Sequence, residues 1–339
     1  DLMRISSRDQ VSSVVTLPDG IRVNAIYEDR GGAVWIGTKR EGLLRAESGS
    51  REAVSTSHVW VECITEDREG NIWAGTRGGG LNLIRPRALE FIDQTTGLPF
   101  TSVRSTACDP SGRMWVVSQD GRLAHREFSR WQIDPKTDES EAGMCVAADL
   151  KNRVWVGTRR QGLLKIDGDE RMQFRKRDGL ASMSVRSLLT ASNGDVWIAT
   201  DEPDRLHRLR DDRISQIESI GSLRFIRALA EDADGTVWIG TSEGRLLRVD
   251  GDTLVDESAL DGPLALSIRT LHTTPDGSLW IGYAGDGLGH LKDRQYTRIT
   301  SEAGLYDDYI SQIQDDGGGS LWIAANRGLF QVSLGELLA

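Results

Sequence analysis

No apolar run in these 339 residues approaches the length of a helical membrane span. Cysteine is nearly absent: Cys63, Cys108 and Cys145 are an odd number at no short spacing, which gives neither a disulfide framework nor a zinc site. All three read as small buried apolar residues. Lysine and arginine, 41 together, are outnumbered by 51 acidic residues, leaving a net charge of −10. A nucleic-acid partner or an anionic membrane calls for a basic footprint, so neither nucleic-acid binding nor direct membrane insertion is expected. No basic, apolar and small-residue leader opens the chain, as expected where an export signal has been removed. Proline is scarce at 8, whereas glycine is abundant at 37, a balance suited to many short strands joined by tight turns. Helical periodicity is lacking throughout.

What the sequence does have is a repeat. "EDRGGAVWIGTKREGLLR" at 28–45 returns as "EDREGNIWAGTRGGGLNL" at 66–83 and "EDADGTVWIGTSEGRLLR" at 231–248. Eight tryptophans mark it: Trp35, Trp73, Trp115, Trp155, Trp197, Trp238, Trp280 and Trp322, spaced by 38 to 42 residues. Trp60 and Trp131 fall outside the series. Three positions before each marker stands a glycine, except for Asn152 in the fourth unit. That choice is what a left-handed backbone position selects. Six positions before the marker, six of the eight units carry Asp: Asp29, Asp67, Asp109, Asp149, Asp232 and Asp316. A short acid there can accept hydrogen bonds from turn amides.

The unit is therefore a hairpin, with a strand ending in Asp, a tight turn, and a second strand beginning at Trp. Two positions past the marker most units carry Gly or Ala, with Val117 the exception, so a neighbour must pack closely there. "GLLR" or "GLLK" supplies a third strand, and segments such as "MQFRKR" a fourth. Four antiparallel strands in about 41 residues make a propeller blade. We expect an all-β chain forming a single β-propeller domain over residues 1–339. The N-terminus resembles third and fourth strands without a first pair, and the C-terminus lacks a fourth. The strand near Val11–Thr16 is therefore expected to close the ring on the third strand of the last blade.

"EDREGNIWAGTRGGGL" resembles the two-component-regulator propeller repeat of extracytoplasmic sensor regions in bacterial membrane-bound signalling proteins. The resemblance covers essentially the whole chain. It implies a periplasmic, non-enzymatic ligand-sensing module, partnered by other domains of a larger membrane-bound sensor and able to form a homodimer. Propellers of this family usually have seven blades. The eight units here favour eight blades over seven plus a partial one.

His125, His207 and His290 each follow a marker by ten residues and raise the alternative of a streptogramin-lyase-like enzyme. Third strands of alternate blades would hold them roughly 15–25 Å apart, too far for one active site. The turn acids offer one or two carboxylates, whereas calcium needs about six oxygens or more. No catalytic residue, metal or cofactor is expected. Ligands of propellers sit on the face where the channel opens, and there the loops present Arg40, Arg77, Arg159, Arg160 and Arg327 with Trp60, Phe100, Tyr306 and Tyr309. Guanidinium forks suit anionic groups and aromatic faces suit sugar rings, so an extracellular small molecule or oligosaccharide is the expected partner. A pure protein-interaction or dimerisation platform is the remaining alternative.

Overall fold

Each marker tryptophan lies in the second strand of its own antiparallel sheet, and strands follow one another across each sheet in sequence order. The computed structural model describes residues 2–5, 11–18, 20–47, 50–68, 70–85, 92–127, 130–134, 143–218, 223–260 and 266–338. Numbered by their markers, the sheets are blades 1 to 8. Six have four strands; blades 2 and 8 have three among the described residues. This is a β-propeller of eight up-and-down blades. The chain divides into two compact units, Asp1–Phe91 with blades 1 and 2, and Ile92–Ala339 with blades 3 to 8. Within the second unit the first strands of successive blades, from Val103–Cys108 to Ile310–Asp315, lie side by side.

The turn acid does more than cap its turn. In blade 1, Asp29 Oδ1 accepts the Ala33 amide at 2.9 Å while Oδ2 accepts the Trp35 indole N–H at 2.8 Å. The same two-oxygen clamp recurs at Asp67, Asp109, Asp149 and Asp232, with indole distances of 2.7, 3.0, 3.0 and 2.8 Å. Thr274 replaces the acid in blade 7 and accepts from Trp280 at 3.2 Å. Blade 5 has Ala191 there, and the buried Trp197 indole N–H has no partner among the described residues. Burial works to raise the Asp109 and Asp149 carboxyls, but donation from the indole and the turn outweighs it and holds both below the usual range. The turn conformation is as expected: Asn152 has φ 59°, and its seven glycine counterparts lie between 80° and 97°. At most of these positions a Cβ would meet nothing, so the dihedral alone selects glycine.

Blades interlock at the small residue after the marker. A Cβ on Gly157 would lie 2.6 Å from Val185 Cγ1, and one on Gly240 would lie 2.3 Å from Ile268 Cγ2. In each case a β-branched residue in the next blade's first strand, Val185 or Ile268, fills the gap. Val117 breaks the pattern, and the next blade answers it with Gly143, where a Cβ would come within 2.8 Å of Val117 Cγ1. The knob has changed sides of the junction.

Closure of the ring by the N-terminal strand is not shown; within the first unit Val11–Val15 pairs antiparallel with Leu2–Ile5. One expectation needs correction. Of the cysteines, only Cys145 is buried, its thiol pushed up to about 12 by burial; Cys63 and Cys108 are exposed.

Two stability measurements test this account. Asp149→Ala strips the acceptor from a buried indole and two turn amides and should cost about 1–3 kcal/mol in denaturant unfolding. Val117→Gly and Gly143→Val should each destabilise by about 1–3 kcal/mol. The double variant should unfold closer to wild type than either single one, and simple additivity would contradict the interlock.

Candidate functional site

In blades 1, 2, 3, 6, 7 and 8 the residue leaving the second strand is hydrogen-bonded to the residue entering the first. Arg77 donates its amide to Trp60 O at 2.9 Å, Ser242 to Phe225 O at 3.0 Å and Asn326 to Tyr309 O at 3.2 Å. The two classes of loop named from the sequence therefore meet at one end of every such blade.

Three of the nine expected site residues lie in the first unit and six in the second. In the first unit, Trp60 carries Lys39 Nζ at 4.4 Å and the Arg77 guanidinium at 4.6 Å from its ring centroid. Arg40 borders a separate cavity of about 290 Å³ with Arg22 and Lys39. In the second unit, Arg159 and Arg160 border a cavity of about 530 Å³. Arg327 lies 4.8 Å over Tyr306 and donates to its carbonyl at 3.1 Å, and the Tyr309 hydroxyl accepts from Arg269 at 3.0 Å. Phe100 is only 3% exposed, packed against Leu98, Val116 and Ala124. Hydrophobic burial draws its ring into the core, leaving no face for a ligand.

Half of the residues lining the cavity beside Arg159 and Arg160, namely Arg104, Met144, Ser184 and Arg186, lie outside the loops read from the sequence. Every first strand in the second unit carries a β-bulge, and the skipped residue stands eleven positions before the marker. Those residues are Arg104, Met144, Arg186, Arg227, Arg269 and Ser311. A bulge re-aims one side chain out of the alternation that governs the rest of the strand. Arg104, Met144 and Arg186 line the cavity together with Arg159, Arg160, Asp201 and Glu202. The sequence did hold a signal, the strings "SVRS", "SVRS", "FIRA" and "SIRT" at one fixed offset from the tryptophan.

The electrostatics are uneven around this arc. Arg186 Nε donates to both Asp201 oxygens, at 2.7 and 2.6 Å, and this pairing holds its guanidinium above the ordinary value. Asp204, with one buried oxygen lacking a partner, is pushed up by burial and then by Asp201. Arg227 makes no ion pair among the described residues. Partial burial, then Arg186 and Arg269, push its guanidinium down, although an arginine so placed stays charged. Between Arg186 at 5.7 Å and Arg227 at 6.0 Å lies the ring of Phe225, which is 41% exposed and has φ 45°. A bulky residue in that region stores strain of about 1–3 kcal/mol.

The three histidines hold structural positions. His125 and His290 lie directly opposite Trp115 and Trp280, with ring centroids 4.7 and 4.4 Å apart. His207 differs, because Trp197 pairs with Arg208 and not with the tenth residue. The longer second-to-third connection of blade 5 slips the register by one, which turns His207 to the opposite side of the sheet. There it is fully buried, and its Nε2 accepts the Ala181 amide at 3.0 Å. Among the described residues no group of His, Cys, Asp and Glu is placed to hold a metal ion.

Four stretches, residues 16–40, 54–78, 179–202 and 220–243, match the two component regulator propeller family. Comparison with curated proteins finds no match. Among solved structures, the extracellular domain of a B. thetaiotaomicron protein described as a hybrid two component system is similar, with TM-score 0.58 and 21% identity. That match covers 93% of this chain and 47% of that one. PorZ, a surface component of the type-IX secretion system of Porphyromonas gingivalis, gives TM-score 0.58 at 16% identity, covering 98% of this chain and 55% of PorZ. A virginiamycin B lyase from Staphylococcus aureus, with quinupristin, gives TM-score 0.50 at 11% identity, covering 92% of this chain and 94% of the lyase. At these identities the likeness is one of fold. The chain spans about half the length of the first two.

Burial lowers the His207 imidazole to about 4. Its unfolded value is about 6.5, so the unfolded chain binds the extra proton and stability falls as pH drops from about 6.5 to 4. The loss should reach about 3 kcal/mol, and His207→Gln should flatten the dependence across that window in pH-resolved unfolding curves.

Proposed function

We propose that this chain, whose blades carry two component regulator propeller repeats, is a non-catalytic recognition module of a bacterial two-component signalling protein. It works outside the cytoplasm as one propeller domain, attached to or partnered with further domains of a membrane-bound sensor, and takes up an extracellular ligand such as an oligosaccharide. The observation that carries this reading is the cavity of about 530 Å³ bordered by Arg104, Arg159, Arg160 and Arg186. It gathers guanidinium donors at the loop end of adjacent blades, and these groups bind and orient without supplying an acid or base near neutral pH. Dimerisation of two such modules would be the natural way to pass occupancy on.

The streptogramin-lyase alternative draws no support from the histidines. His207 is enclosed in the core, and the other two stack on structural tryptophans.

A thermal-shift screen against oligosaccharides tests the reading, because a ligand that binds the folded state raises the melting temperature with concentration. The expected result is saturable binding without turnover, weakened by Arg160→Ala by about 1.5–3 kcal/mol if the bound group is charged. Turnover of any sugar or peptide lactone that disappears with His207→Ala or His290→Ala would overturn it.

A further inference from the structure

We infer that the bulge arginines of blades 3, 5, 6 and 7 form an oxyanion cradle, and that its ligand carries at least two carboxylate, sulfate or phosphate groups. The inference rests on the recognition reading and sharpens it to a ligand class.

The first argument is placement. Arg104, Arg186, Arg227 and Arg269 occupy one structural position on first strands, at the residue that each bulge frees from strand alternation. Arg186, Arg227 and Arg269 come from three consecutive blades, whose first strands are neighbours. Like charges are therefore gathered at the inner edge of a protein that is acidic as a whole.

The second argument is the shortage of counter-charge. The cavity sets four guanidiniums, those of Arg104, Arg159, Arg160 and Arg186, against the carboxylates of Asp201 and Glu202. Asp201 is committed to Arg186. Among the described residues Arg104 contacts only the Met144 sulfur, at 2.8 Å, and Arg269 the Tyr309 hydroxyl. Neither a thioether nor a phenol neutralises a guanidinium.

The third argument is that the protein displays the recognition geometry itself. Arg186 grips Asp201 through Nε and Nη2, with contacts of 2.5 to 2.7 Å, the fork that a planar oxyanion meets best. Arg227 sits at the equivalent position one blade further on, with no carboxylate in its fork. Two anionic groups on one ligand would satisfy donors on different blades, which a single small ion cannot span.

Mutual repulsion also predicts an opposite effect in the free protein. Arg227→Ala should fold normally by circular dichroism and melt slightly higher than wild type at low salt, because one of three neighbouring like charges is gone. The binding test uses three probes measured by calorimetry: trigalacturonate, pyrophosphate and neutral maltotriose. At least one of the two polyanions should bind saturably, with affinity that falls as salt is raised. Arg227→Ala and Arg104→Ala should each reduce that affinity tenfold or more, Arg227→Lys should recover part of it, and Arg177→Ala on an exposed turn should leave it unchanged. Trigalacturonate binding alone would indicate an acidic sugar, and pyrophosphate binding alone a phosphate compound. Polyanion affinities within twofold of wild type in both alanine variants, or no saturable polyanion binding, would overturn the inference. Maltotriose binding that ignores Arg227→Ala would leave the recognition module standing while removing the oxyanion cradle.

Discussion

A single carboxylate with its two oxygens divided between a turn and an indole organises this molecule. One oxygen fixes the hairpin by accepting the amide four residues on, and the other fixes the tryptophan that begins the second strand. Neither job needs a distant residue, so each of the five units with the clamp, those of blades 1, 2, 3, 4 and 6, carries its own nucleus of order. Once the ring is set, the third strand covers it with whatever cation or imidazole lies opposite: Arg45 over Trp35, Lys165 over Trp155, His290 over Trp280. At Gly37, Gly157, Gly240 and Gly282 the small residue two places later receives a side chain from the next blade, and at Val117 and Gly143 the roles are exchanged.

Most of that was legible in the sequence because it repeats. The marker spacing gave the blades, and the glycine column with Asn152 gave the turn dihedral. Departures were readable only with the partner in view. Val117 was visible as an exception, yet nothing in one unit shows that Gly143 compensates for it from the neighbouring blade. His207 counted as the tenth residue after its marker, but a longer loop had moved the register, and a one-residue slip reverses which face a side chain meets.

The candidate site was legible to a lesser degree. Among the residues read from loops, Arg159 and Arg160 border the cavity of about 530 Å³, and Arg77 stacks on Trp60. It also selected Phe100, because an aromatic residue in a loop looks the same whether its ring faces solvent or core. The bulge arginines were overlooked for a physical reason. They sit inside strands, where alternation assigns every residue to one side or the other, and a bulge is the place where that assignment lapses.

That lapse has an evolutionary consequence. The bulge residue takes no part in the strand's pairing register, and its neighbours Val185 and Ile268 do the inter-blade packing, so exchanging it leaves the scaffold intact. The second unit already shows the range tolerated at this position, with arginine in four blades, methionine in one and serine in another. A propeller built this way can vary the side chains it presents along its first strands one codon at a time, each change confined to a residue outside the pairing register.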